Sequence, residues 1–169
     1  MPSSATGDLL VLYDKAVDDV YGYILARCRN REVAEDVTAD VFTAAVEAVR
    51  RDSVADLTTA WLIGIARHKL VDHWRRAERE QRRLHAVADD PTVAAPRVDT
   101  WDVELDVLAA RDALAQLGAH HRSALVLRYL DGLPVPDVAE VLGRTVHATE
   151  ALLVRARRAF RQIYEEVDR

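Results

Sequence analysis

Apolar residues return at steps of three and four along almost every stretch of this chain, and nowhere do they alternate with polar ones over a useful length. A chain so patterned buries its apolar stripes helix against helix, so the expected fold class is all-α. Leu9, Tyr13, Ala16, Val17, Val20 and Ile24 set the spacing over residues 8–28, with Asp8 as a candidate N-cap. Arg29 and Asn30 make a break. Over residues 31–50, Val33, Val37, Val41, Ala44 and Ala48 form one seam with Phe42, Ala45 and Val49 beside it, an apolar face broad enough to need partners on more than one side. A polar, cap-rich loop over 52–59 precedes a long helix over 60–85, capped by Thr59, with Trp61, Leu62, Ile65, Ala66, Leu70, Trp74 and Ala77 on its apolar side.

The periodicity then stops. Residues 86–100 hold Pro91, Pro96 and three aspartates, which limits helix and suits a flexible acidic linker. It resumes near Trp101. Leu105, Leu108, Ala109, Ala113 and Leu117 mark one helix, and a second starts near His120 and ends before Asp131-Gly132. Pro136 fits the first turn of a short helix that Gly143 stops, and Thr145 caps a final long one through Val146, Thr149, Leu153, Ala156, Phe160, Ile163 and Val167. With 169 residues, the chain is expected to form two small helical domains, 1–86 and 101–169, joined by a linker over 87–100.

The formal net charge of -5 hides a sharp partition. Residues 61–86 carry 7 basic against 3 acidic side chains, while residues 1–60 carry 6 against 11 and residues 87–110 carry 1 against 6. A basic helix therefore sits on an acidic body. Within that body Glu32, Asp36 and Asp40 follow one another at steps of four, a row that gains nothing from internal pairing because like charges at this spacing repel. Two readings fit it: a solvated face, or a docking face for a basic partner.

The residues that carry chemistry are scattered. No HExxH, P-loop, GxSxG or CxxC motif is present; His120 and His121 are adjacent and cannot both face one site from one helix; Cys28 is the single cysteine. The expectation is a protein that is no enzyme and holds no metal or cofactor. Lacking a long uncharged apolar stretch or a basic-then-apolar N-terminus, it is also expected to insert into no membrane and to act in the cytoplasm.

A short helix, a tight turn and a longer helix over 134–160 have the size of a helix-turn-helix, whose second helix enters a DNA major groove. Arg144, His147, Arg155, Arg157, Arg158 and Arg161 give that helix polar reach. The basic helix over 61–83 adds aromatic rings to a polycation, a surface for duplex phosphates or stacked bases, although Trp61 and Trp74 also lie on its apolar side.

Two blocks carry a family resemblance. AEDVTADVFTAAVEAV followed by WLIGIARHKLVDHWRR resembles the second region of RNA polymerase sigma factors of the extracytoplasmic-function type, and LAQLGAHHRSALVLRYLDGLPVPDVAEVLGRTVHATEALLVRARRAFR resembles their fourth region. With the opening LYDKAVDDVYGYI, the likeness covers nearly the whole chain.

The resemblance implies a non-enzymatic transcription initiation factor. It places Asp36 and Asp40 against the clamp coiled coil of the largest polymerase subunit, and puts a flipped base of the separated strand in the loop over 52–59. Trp61, His68, Lys69, Asp72, Arg75 and Arg76 would contact the minus 10 element and open it. Arg144, His147, Ala148, Glu150, Ala151, Leu152 and Arg155 would face the minus 35 element, while the fourth region also binds the polymerase flap. The linker would thread a basic channel toward the RNA exit, and an anti-sigma protein would regulate the factor by covering its polymerase-binding faces. The chain departs from the pattern at Ala39, where Gln is usual, at His68, where Asn is common, and at Glu150 and Leu152, where Lys and Arg are frequent. A carboxylate at 150 can accept from cytosine N4, and a leucine at 152 can only pack, for example on a thymine methyl. Two other readings are an ordinary DNA-binding regulator whose acidic domain binds another protein, and a helical scaffold that never touches DNA.

Overall fold

The computed structural model describes residues 4–51, 53–54, 56–85 and 107–167, and among them every regular element is helical. The helices are α1 (Ser4–Cys28), α2 (Arg31–Arg50), α3 (Thr59–His85), α4 (Val107–Gln116), α5 (Ala119–Leu125), α6 (Val135–Leu142) and α7 (Val146–Val167). The expected linker over 87–100 and the expected helix start near Trp101 lie outside the described residues. Packing divides the chain into two compact units, Met1–His73 and Trp74–Arg169, so the division falls inside α3 rather than after it.

In the first unit, Leu9, Ala16, Val20 and Ile24 of α1 are buried, as are Ala34, Val37, Val41 and Ala45 of α2 and Leu62, Ala66, Leu70 and Val71 of α3. Each set recurs at helical spacing, so each helix turns one stripe inward. The rings of Tyr13 and Phe42 meet edge to face at 4.7 Å. The α1–α2 corner needs only two residues because each closes one helix end. Arg29 takes a left-handed conformation at φ 53 while its amide still donates to the Leu25 carbonyl, and Asn30 is extended with its Oδ1 accepting from the Val33 amide at 3.1 Å. The cap of α3 falls one residue before its expected place: Thr58 Oγ1 accepts from the Trp61 amide at 3.2 Å.

The second unit is built on α7. Its inner face buries Thr149, Leu152, Leu153, Ala156 and Phe160, and α4, α5 and α6 all pack against this helix. Trp74, Ala113, Leu117, Ala124, Leu127, Val138 and Leu142 complete the core. Arg122 ties α4 to α5: its Nε donates to the Leu114 carbonyl at 2.9 Å, its Nη2 donates to the Leu117 carbonyl at 3.2 Å and to that of Ala115, and the guanidinium lies 5.5 Å from the Trp74 ring centroid. The three carbonyls lie in the last turn of α4 and just beyond it, where intrahelical donors run out, so one cation braces the end of α4.

After α5 the helix widens into a π-helical segment, Val126–Leu130, in which the Asp131 amide donates to the Val126 carbonyl at 3.0 Å. Periodicity gave no sign of this widening. Arg128 Nη1 fastens its exit by donating to the Leu133 carbonyl at 2.9 Å. Pro136 sits in the first turn of α6, Gly143 ends it in the left-handed region at φ 63, and Thr145 Oγ1 accepts from the Ala148 amide at 3.1 Å to start α7. This short helix, tight turn and long helix form the expected helix-turn-helix.

Because Asn30 alone accepts a side-chain bond at the start of α2, Asn30→Ala should cost about 1 kcal/mol of stability. Urea unfolding followed by circular dichroism checks it through a lower midpoint at unchanged slope.

Candidate nucleic-acid interface

On α2, Asp36 is exposed and Asp40 half-buried. The neighbouring acids are partly matched within the helix: Glu35 lies 3.5 Å from Arg31, and Glu47 lies 3.6 Å from Arg51. Such exposed pairs contribute little stability, so the acidic face keeps its field.

On α3 the helical repeat puts Trp61, His68, Asp72 and Arg75 in one strip, flanked by Lys69 and Arg76. His68, Asp72 and Arg76 are exposed, whereas Trp61, Lys69 and Arg75 are half-buried. Leu62, Ala66, Leu70 and Trp74 occupy the opposite, buried side. Trp61 thus stands at the edge between core and surface, while Trp74 belongs to the core of the second unit. Arg75 does not extend wholly into solvent, for its Nη2 donates to the Leu142 carbonyl at 3.0 Å. In the loop before α3, Asp52 and Ala55 lie outside the described residues.

At the helix-turn-helix, His147, Glu150, Ala151 and Arg155 are exposed on one face of α7, and Arg144 and Ala148 are half-buried at its start. Leu152 is corrected: it is 3% exposed, packed on the inner face, and offers no side chain to a thymine methyl. One step in the helical repeat separates it from Ala151, and that step turns it to the core. Val154 and Val146 are exposed instead, Val154 one turn beyond Glu150 on the outer face. Counting seven residues on from His147 would have found it.

A further surface was not legible in the sequence. Ala110, Leu114, Leu125, Tyr129, Leu130 and Phe160 line an open apolar cavity of about 340 Å³, with Arg157 at its rim donating from Nη1 to the Tyr129 hydroxyl at 3.0 Å. The widened turn sets Tyr129 and Leu130 at the surface, 54% and 53% exposed. Among the described residues no group of His, Cys, Asp and Glu is placed to hold a metal ion.

Electrostatics bear on the start of α5. Burial, followed by the Arg144 charge, lowers the His120 imidazole from its ordinary value, with Arg75 and Arg82 acting the same way against an opposing Glu78. Burial and then Arg155 lower His121, Glu78 again opposing. The unfolded chain, with ordinary imidazoles, therefore binds more protons than the folded one as pH falls through the usual histidine range, and the fold loses stability there. Thermal melts from about pH 7.5 to about pH 5.5 should show a falling Tm, and the double variant His120→Asn, His121→Asn should flatten that slope. A slope untouched by the double substitution would assign the pH dependence to other groups.

Against known proteins, residues 12–80 match the model of Sigma-70 region 2 and residues 108–160 that of Sigma-70, region 4. The chain is 30% identical over 154 residues to the ECF RNA polymerase sigma factor BldN of Streptomyces coelicolor, covering 90% of this chain and 58% of that relative. It is 28% identical over 157 residues to the ECF RNA polymerase sigma factor SigC of Mycobacterium tuberculosis, covering 93% and 84%. In fold it is similar to the sigma factor RpoE of Bartonella quintana, solved in complex with the anti-sigma factor NepR, with a TM-score of 0.58 at 20% identity over 96% of this chain and 99% of that one. With both sigma regions present in order along one chain, the protein belongs to the sigma-70 family of RNA polymerase sigma factors, in its extracytoplasmic-function group.

Proposed function

We propose that the chain is a promoter-specificity subunit: it binds core RNA polymerase, reads the minus 35 element with α7 and stabilises the opened minus 10 element with α3. The observation that carries this reading is the pairing, in one chain, of a partly exposed strip of aromatic, polar and cationic side chains on α3 with a helix-turn-helix whose second helix keeps an outward polar face. An ordinary regulator needs only the second.

Each surface then has a role of fitting chemistry. The acidic face around Asp36 and Asp40 docks on the clamp of the largest polymerase subunit, where opposite charge guides encounter. Arg75, Arg76 and Lys69 neutralise promoter phosphates, Trp61 and His68 meet unpaired bases, and Asp72 accepts from neighbouring donors. At the minus 35 element, Arg144, His147, Ala148, Glu150, Ala151 and Arg155 lie over the groove, with the free amides at the start of α7 facing phosphate. The cavity beside Tyr129 and Leu130 takes an apolar side chain of the polymerase flap. The acidic linker follows a basic channel of the polymerase. An anti-sigma protein restrains the factor by covering these faces, as the RpoE complex with NepR suggests for a relative of this fold. The site of action is the cytoplasm; no described helix is long and apolar enough to cross a membrane.

Reconstitution with matching core polymerase on genomic fragments tests the reading: specific initiation is expected, and DNA binding without initiation would favour the ordinary regulator. Asp36→Lys with Asp40→Lys should weaken core binding roughly tenfold or more at unchanged helical content, read by titration. Unchanged affinity would return the acidic row to a solvated face. Glu150→Lys should tighten duplex binding while blurring discrimination among minus 35 variants. Uniform tightening with the rank order kept would remove Glu150 from base readout.

A further inference from the structure

Two arginines and a serine meet where α2 ends. Arg50 is the last residue of the helix and Arg51 its C-cap, and Ser53 and Val54 follow on the way to α3. Arg50, Arg51 and Ser53 are exposed, and Val54 is half-buried. Ser53 Oγ donates to the Ala48 carbonyl at 2.9 Å, and the Ser53 amide donates to the same oxygen at 3.2 Å. The hydroxyl thus uses its proton on the helix end and keeps its lone pairs. Among the described residues, the other exposed serine and threonine hydroxyls are those of Thr43, Thr58 and Thr145. Thr43 Oγ1 donates along α2 to the Ala39 carbonyl, and Thr58 and Thr145 accept the amides that start α3 and α7. None of these has two arginines among the three residues before it.

Arginines three and two positions before a serine, with an apolar residue after it, offer charge and an apolar contact to an enzyme that reads a short segment through acidic subsites. The local structure leaves these groups within reach. Arg51 lies 3.6 Å from Glu47, but an exposed pair of this kind contributes little, so a partner can take over the charge. The last turn of α2 opens at small cost because helix ends fray. We propose that Ser53 is a phosphorylation site: it accepts the γ-phosphoryl group of a nucleoside triphosphate from a serine/threonine kinase that binds Arg50 and Arg51 through acidic side chains and Val54 in an apolar pocket. In the transfer Ser53 Oγ bonds to the γ-phosphorus, the bond from that phosphorus to the nucleoside diphosphate breaks, and the hydroxyl proton passes to the base of the kinase.

A phosphate at this position carries about 1.5 to 2 negative charges near pH 7. It removes the proton that Ser53 gives to the Ala48 carbonyl, and it sets an anion at the C-terminal end of α2, where the helix dipole disfavours one. The loop that takes the charge leads into the Thr58 cap on the Trp61 amide. The modified loop therefore repels the unpaired minus 10 strand and leaves the duplex face of α7 unaltered. This consequence rests on the minus 10 role proposed for α3; the site itself does not.

The test incubates the full chain with magnesium, ATP and the catalytic domain of a purified arginine-directed serine/threonine kinase, and locates the phosphate by mass spectrometry. Incorporation at Ser53 is expected, with none at that position in Ser53→Ala and retention in Ser53→Thr. The double variant Arg50→Ala, Arg51→Ala should be modified roughly tenfold more slowly at unchanged helical content, because it lacks the charge that the kinase reads. No phosphate at Ser53 in the parent, or an equal rate in the double arginine variant, would overturn the site. In the second arm the phosphorylated chain, assembled with core polymerase, should bind a single-stranded minus 10 oligonucleotide roughly tenfold more weakly than the unmodified chain, while a minus 35 duplex binds both alike. Treatment with a phosphatase should restore strand binding. Equal strand binding by the two forms would overturn the regulatory consequence. Initiation by the unmodified holoenzyme is scored separately: its absence would sink the promoter reading, whereas initiation with no phosphate at Ser53 would sink the modification site alone.

Discussion

Burial of one face of α7 organises the second unit and decides what is left for recognition. Thr149, Leu152, Leu153, Ala156 and Phe160 enter the core that α4, α5 and α6 build around this helix. Because a helix turns 100° per residue, committing those positions inward fixes His147, Glu150, Ala151, Val154 and Arg155 outward. Thr149 makes the inward turn possible for a polar group: its Oγ1 donates to the Thr145 carbonyl at 2.9 Å, which satisfies its own hydroxyl in the core. The same burial withdraws Leu152 from the outward face proposed to meet DNA, although its neighbour Ala151 stays on that face.

Around this core the second unit uses long side chains to finish helix ends that local sequence leaves open. Arg122 closes the end of α4, Arg128 the exit from the π-helical segment, and Glu78 the start of α5. Each bond replaces water at an orphan backbone group. The arrangement also gathers Arg75, Arg82 and Arg144 near His120, which together with burial disfavours the protonated imidazole. The proposed DNA-facing residues Arg75 and Arg144 thus also act on the electrostatics at the start of α5, whereas in the first unit the buried stripe is mostly apolar and Glu32 and Asp36 of the acidic row are exposed.

Much of this was legible from residue order. The α1–α2 break at Arg29 and Asn30, the bounds of α2, the Pro136 start and Gly143 stop of α6, and the Thr145 cap all follow from chemistry acting over a few residues. The partly exposed α3 strip follows from the same helical repeat. Local cues were less exact where two equivalent caps adjoin: Thr58, not Thr59, accepts the bond that starts α3.

What residue order determined by itself was helix content, most helix ends and which residue types share a face, because periodicity and capping are short-range. Tertiary structure decided which face is inner, and so removed Leu152 from recognition and left Val154 exposed. It also widened the helix after α5 at Val126–Leu130, opened an apolar cavity beside Tyr129, and placed Glu78 on the Ala119 amide and Arg75 on the Leu142 carbonyl. The last two bonds join residues 41 and 67 positions apart. No local pattern marks such a pair, since either side chain would be as well solvated on an isolated helix; only packing brings an orphan backbone group within its reach.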